Sequence, residues 1–310
     1  MNSQTDPTQT TSFITPPSRP WHQKLYACLP ALFVVYALLD YFIPIFAEGK
    51  HPDWLYLAIY TGLLAGQGVF LITWAVLGPL RLWVRWLLIL AIGYILFFTC
   101  CFGIMTAIGV MSYWHELQGP AAFSLISPFC FLIVQIPLWS RRRVSGWRIV
   151  AAEKAATCSA TEARQYGIAH LLILTAYVGV SLSLVQVGIA NFGSLRGTEV
   201  PVPYFLWAMI ASISAIFCLY VAFWAGPAVR ACFLARNKIR GCLMMAAVWG
   251  FVSLLTYGSC SLTGQNLGCA SRLELASCIF THFACLLLIL LPSLYSLRAC
   301  GYVLIRAEKR

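Results

Sequence analysis

Three side chains that could bind a soft metal lie close together near the C-terminal end of the chain. Cys278, His282 and Cys285 are spaced four and three residues apart, so a helix would place them on one stripe. Thiolate and imidazole are ligands that suit zinc, copper and iron–sulfur sites. The spacing is compatible with a metal site, but also with an ordinary packed helix face, because no fourth ligand is evident.

Polar residues inside otherwise apolar segments form a second candidate set. Asp40 is an acid within such a segment, and intramembrane carboxylates often mark proton or cation paths. Gln67, Gln135 and Gln186 could line the same path, or could hydrogen-bond between helices. These four residues are therefore candidates for either a translocation path or a polar core.

The remaining chemistry-bearing residues indicate structural roles. Cys260 and Cys269 flank a short polar connection and could form a disulfide that constrains it. The other cysteines show no metal-binding pattern, and His170 and His282 would lie at depths too different to hold a haem together. No HExxH, GxSxG, P-loop or GxGxxG motif is present, so we assign no cofactor and no catalytic residues. The missing motifs argue against an enzyme but leave that alternative open, because membrane enzymes can lack them.

The composition is that of a membrane protein. Hydrophobic residues make up 60% of the chain and charged residues only 10%, whereas about a quarter of the residues of a soluble protein are charged. Runs of about 20 apolar residues can cross a bilayer as helices, which satisfy their own backbone hydrogen bonds. We therefore predict an all-α, polytopic membrane bundle of eight transmembrane helices, at about 25–46, 54–77, 86–112, 120–139, 167–189, 203–226, 241–259 and 274–295.

Polar segments divide this bundle and orient it. We predict a disordered tail at 1–24, a basic linker at 140–166 and a basic tail at 296–310. All but three of the 21 lysines and arginines (Lys50, Arg196 and Arg272) fall on the side of the two termini. The positive-inside rule then places both termini in the cytoplasm.

The linker carries a cluster of basic residues beside a tryptophan. Val144, Trp147, Ala151 and Ala155 recur at helical spacing, which predicts an interfacial helix that lies on anionic lipid headgroups. The predicted lipid anchor consists of Arg141, Arg142, Arg143, Trp147 and Arg148. The alternative is that these arginines are only the topological anchor of the fourth span. We favour both roles together, anchor and surface helix, over a role in nucleic-acid binding.

Two helix ends indicate an internal repeat. An aromatic residue, Gly78-Pro79 and an arginine close the second predicted span, and an aromatic residue, Gly226-Pro227 and an arginine close the sixth. Two parallel four-helix halves, 25–139 and 167–295, would explain this similarity, because an even number of spans gives both halves the same orientation.

The segment from Gln165 to Ala176, QYGIAHLLILTA, resembles part of uncharacterised multi-pass proteins of planctomycete-type bacteria. The resemblance covers about thirty residues, implies a bacterial inner membrane, and assigns no residue a role.

Three functions are compatible with these features. We expect a membrane interaction or scaffold protein, whose partners are the bilayer and an unidentified membrane protein or a second copy. The alternative is a small-solute transporter or channel between the two halves. The third is a metal or redox protein that uses Cys278, His282 and Cys285.

Overall fold

The computed structural model describes residues 21–47, 53–80, 82–108, 128, 130–152, 175, 179, 183, 214–234, 238–263 and 271–306. Within these ranges the protein is all-α except for two short strands. The elements are α1 (Trp21–Ala47), α2 (Asp53–Leu77), α3 (Leu82–Ile108), α4 (Ile136–Ser145), β1 (Trp147–Ala151), α5 (Ser214–Leu234), α6 (Lys238–Thr263), α7 (Arg272–Ala299) and β2 (Tyr302–Arg306).

Six of the described helices contain a stretch long and apolar enough to cross a bilayer, namely α1, α2, α3, α5, α6 and α7. The prediction of an all-α chain with several membrane-length helices is therefore confirmed. The fourth predicted span is described only in part, and the fifth at three isolated helical positions, 175, 179 and 183. Eight spans and two halves thus stay predictions.

Helix α2 lies at the centre of the described bundle, with α7 packed along it. The two backbones come close because Gly62 and Gly66 face α7 one turn apart. A Cβ at Gly66 would lie 2.6 Å from the carbonyl oxygen of Leu286, and one at Gly62 would overlap the carbonyl oxygen of His282. The remaining surface of α2 is largely covered too, and Val69, Phe70 and Trp74 are all buried.

The two Gly-Pro sequences behave differently. Helix α2 ends at Leu77, directly before Gly78-Pro79, as the missing proline N–H predicts. The prediction that Gly226-Pro227 also ends a helix is wrong, since α5 continues to Leu234. It does so through π-helical turns at Val221–Ala225 and Arg230–Leu234, which change the hydrogen-bond register on either side of the proline.

Strands β1 and β2 pair antiparallel, with Trp147 opposite Arg306 and Ile149 opposite Leu304. The interfacial helix predicted across Trp147 and Ala151 is therefore wrong in this part of the linker. The predicted C-terminal tail also contains a strand, Tyr302–Arg306. Helical spacing misled here because the backbone groups of 147–151 bond to a strand about 150 positions away, which local periodicity does not report.

Candidate functional site

The predicted polar residues of α1 and α2 meet. Gln67 donates a hydrogen bond from Nε2 to Oδ1 of Asp40 at 2.8 Å, and the two side chains are 3% and 1% exposed. The second oxygen of Asp40, Oδ2, is also buried and has no hydrogen-bond partner among the described residues. This pair brings a carboxyl group and an amide together where α1 crosses α2.

Two further polar contacts join α1 and α2 to other helices. The hydroxyl of Tyr36, one turn before Asp40, hydrogen-bonds Ser293 of α7. Tyr60 of α2 donates to the thiol of Cys100 on α3 at 2.6 Å. Polar side chains thus link α1, α2, α3 and α7 inside the bundle.

His282 lies in a chain of hydrogen bonds across three helices. Its Nδ1 is 2.9 Å from Oγ1 of Thr61 on α2, and its Nε2 is 2.5 Å from the hydroxyl of Tyr220 on α5. The hydroxyl of Thr61 donates its one proton to the carbonyl of Leu57, so towards His282 its oxygen acts as the acceptor of a hydrogen bond from Nδ1–H. Nε2 is then the acceptor, and Tyr220 donates to it.

This arrangement bears directly on the metal hypothesis. Both ring nitrogens of His282 are engaged, and the thiol of Cys278 is directed to the carbonyl of Trp54 at 3.8 Å. In the described ranges, no three histidine, cysteine or acidic side chains come together as a metal site. The structure therefore does not bring Cys278, His282 and Cys285 together as ligands.

The side chain of Gln135 replaces a backbone hydrogen bond that is missing from its own helix. Its backbone N–H bonds to Leu132 instead of Phe131, and its side chain donates to the carbonyl of Phe131 at 2.9 Å. Two residues on, Pro137 cannot bond to Ile133, whose carbonyl instead accepts from the thiol of Cys218 on α5 at 3.4 Å. Gln135 therefore satisfies its own helix, and it is separate from the Asp40–Gln67 pair.

Two of the predicted residues, Gln186 and Cys269, lie outside the described residues. Cys260 lies partly buried in the last two turns of α6. The disulfide between Cys260 and Cys269 therefore stays a prediction.

An apolar cavity of about 180 Å³ opens between α2, α3, residues 130–134 and α5. Ile72, Ile89, Phe97 and Phe217 contribute to its wall. Asp40, Gln67 and Gln135 do not line it. This cavity could accommodate part of an apolar molecule, but it offers no polar path for a solute.

Arginines gather where α2, α4, α5 and α7 end, together with β1 and β2; we call this region the basic end. Here arginines donate to carbonyls near helix C-termini: Arg85 to Gly78, Arg142 to Val76, and Arg298 to Cys232. Such carbonyls carry the negative end of the helix dipole and attract cations.

The predicted lipid anchor divides into two kinds of residue. Arg143 is exposed, whereas Arg142 turns inward to α2 and lies 5.1 Å from the ring of Trp139. Trp147 is 2% exposed, so it cannot lie among lipid headgroups as predicted. Its ring instead packs beneath the guanidinium of Arg230, at 5.3 Å. Arg148, the residue after it, is partly buried.

Several residues of the polar contacts were not predicted, among them Tyr36, Thr61, Cys100, Tyr220 and Ser293. Thr61 had a usable signal, because it directly precedes the first glycine of the Gly62-x-x-x-Gly66 spacing and small residues mark close helix contacts. Tyr220 had none, since it lies 62 positions from His282.

Comparison of the chain with protein-family models, curated proteins and solved structures found no match.

Proposed function

We propose that the protein is a non-enzymatic interaction or scaffold protein of the membrane. The observation that carries this proposal is the use of polar side chains within the apolar helices. Asp40, Gln67, Gln135 and His282 each bond to a neighbouring helix or to their own helix backbone. Hydrogen bonds of this kind hold helices in register, and none of the four residues lines the described cavity.

The basic end supports an arrangement of two parallel four-helix halves. Gly146 and Gly301 both adopt positive φ, 64° and 82°, at the end of a helix, and each is followed by an aromatic residue that starts a strand. The two glycines lie 155 positions apart, as do Ile149 and Leu304. Ile149 thus pairs with its own counterpart, as a two-fold axis between the strands requires.

The arginine contacts repeat in the same way. Arg142 bonds the carbonyl of Val76 and Arg298 bonds that of Cys232, each across 66 positions. Each arginine lies just after the last predicted helix of its half. Each bonds to a carbonyl near the C-terminal end of the second helix of the same half. We propose that β1 and β2 join the halves as a clasp on the cytoplasmic side.

The charge distribution supports an orientation with this clasp in the cytoplasm, and the resemblance noted above supports a bacterial inner membrane. Single cysteines at exposed positions test the orientation in a cysteine-depleted variant. A membrane-impermeant maleimide added to intact cells should label Leu273→Cys, at the start of α7, but not Arg143→Cys. Labelling of Arg143→Cys but not of Leu273→Cys would show that the orientation is the opposite of the one proposed.

Reconstitution tests the scaffold role directly. Proteoliposomes that contain the protein should show the same proton and potassium permeability as protein-free liposomes of the same composition. A matched Asp40→Asn variant should behave identically. A flux that the wild type carries and Asp40→Asn loses would refute the scaffold proposal.

The same outcome would establish the second candidate, a transporter. One observation favours it: Oδ2 of Asp40 is buried without a hydrogen-bond partner among the described residues. Burial of an unsatisfied carboxyl oxygen is unfavourable, and a proton or small cation would relieve it. The cavity described above would then have to be only one part of a path that reaches Asp40.

A further inference from the structure

We propose that the groove between α4 and α5 at the basic end binds the phosphate headgroup of an anionic phospholipid between Arg141 and Arg230. The inference goes beyond the scaffold role and does not depend on it. It also differs from the general attraction of a basic surface to lipid, because it assigns the binding to two of the several arginines at this end.

Arg141 contacts, and Arg230 belongs to, the same stretch of α5. The guanidinium of Arg141 lies against Gly226, where a Cβ would come within 2.6 Å of its Nη1. Arg230 follows one turn later on α5, and its backbone N–H bonds to the carbonyl of Gly226. Residues four apart on a helix are neighbours on its surface, so Gly226, which Arg141 contacts, and Arg230 lie on the same face of α5.

Each of the two arginines is positioned by a residue of another element. Gly226 leaves the space that the Arg141 guanidinium occupies, so a larger residue there would displace it. Trp147, just beyond α4, packs its buried ring beneath Arg230, an arrangement that stabilises a guanidinium over an aromatic face. Each guanidinium therefore already has a contact within the chain, with Gly226 for Arg141 and with Trp147 for Arg230.

Charge identifies the ligand as an anion. The acidic residues among those described are Asp40, Asp53 and Glu274. Asp53 and Glu274 lie in the first turns of α2 and α7, at the opposite ends of those helices from the basic end, and Asp40 lies in α1. Guanidinium groups bind phosphate or carboxylate through two parallel hydrogen bonds, which a lysine cannot provide. Two arginines beside one stretch of α5 therefore favour an oxyanion, and in a membrane the phosphate of an anionic lipid is such a group.

The surroundings identify the source of that phosphate. The turns of α5 that precede Gly226 expose apolar side chains, with Leu219 58% and Phe223 42% exposed. In a helix long enough to span the bilayer, such side chains meet acyl chains. A lipid can therefore place its phosphate at the groove and its chains along the same helix, which a soluble phosphate compound cannot do.

Native mass spectrometry of the purified full chain tests the assignment. We would titrate phosphatidylglycerol and, in parallel, phosphatidylcholine, and measure the dissociation constant of the first bound lipid. Phosphatidylglycerol should bind more tightly, and Arg141→Gln with Arg230→Gln should weaken it by about tenfold or more, since each removes a charged hydrogen-bond donor. Gly226→Leu should weaken binding as well, although it removes no charge.

Arg143→Gln is the matched control, because it removes an exposed arginine two positions from Arg141 on the same helix. It should change the affinity by less than about threefold. An equal loss in Arg143→Gln and in the double variant would refute the groove, and so would equal binding of the two lipids. Displacement of the lipid by millimolar inorganic phosphate would overturn the lipid as the source and assign the groove to a soluble phosphate compound.

Discussion

Replacement of Gly66 by alanine tests whether the close contact between α2 and α7 holds the bundle together. The added Cβ would lie 2.6 Å from the carbonyl oxygen of Leu286 and 2.9 Å from Cβ of Ile289, whereas ordinary contacts begin at 3.4 Å. Both neighbours are fixed parts of α7, so no side-chain rotation removes the overlap. The two helices must therefore move apart over this turn.

The control is Gly93→Ala on α3, where a new Cβ would meet no atom of the described residues within 4 Å. Both substitutions gain the same helix preference of alanine over glycine, about 1 kcal/mol. The difference between the two variants therefore isolates the steric effect. Overpacking of this kind costs about 1–3 kcal/mol, and contact with backbone atoms places Gly66→Ala near the upper value.

We expect Gly66→Ala to be less stable than Gly93→Ala by about 2–3 kcal/mol. Reversible unfolding in mixed micelles, with rising mole fraction of sodium dodecyl sulfate and circular dichroism as the probe, measures the free energies of both variants. If the two variants unfold within about 0.5 kcal/mol of each other, α2 and α7 are not packed on these glycines and the central contact of the fold is wrong.

Three further predictions concern the other contacts between elements. Tyr220→Phe removes the donor to the histidine ring on α7 and should lower the free energy of unfolding by about 1 kcal/mol, measured in the same micelle assay. Arg142→Gln and Arg298→Gln should each cost about 1.5–3 kcal/mol, and their similar losses would support equivalent positions in two halves. Cysteines at Ile149 and Leu304 should form a disulfide under mild oxidation in a cysteine-depleted variant, seen as a mobility shift, and failure to cross-link would contradict the strand pair.

Local chemistry explains which features could be predicted from the sequence. The end of α2 at Gly78-Pro79 follows from a missing N–H at that position, and the close approach at Gly62 and Gly66 follows from two missing side chains. Gly226-Pro227 carries the same local signal, yet α5 continues past it. The π-helical turns that permit this are not visible in a proline and a glycine alone.

The polar contacts show the same division between local and distant causes. Asp40, Gln67, Gln135 and His282 could be selected from the sequence because polar residues are rare in apolar segments. Their partners could not be selected, since Tyr220 is 62 positions from His282. The pairing of Asp40 with Gln67 depends on the angle at which α1 crosses α2.

The membrane class of the chain and most of its helices are consequences of composition, because a long apolar segment must satisfy its backbone groups within itself. A helix meets that requirement with hydrogen bonds between residues four positions apart. The periodicity of the sequence and the positions of its prolines therefore indicate where helices lie. The strand pair and the groove of Arg141 and Arg230 arise from groups far apart in the chain. They exist only once the helices have packed, because that packing decides which carbonyls, guanidiniums and strands come within reach.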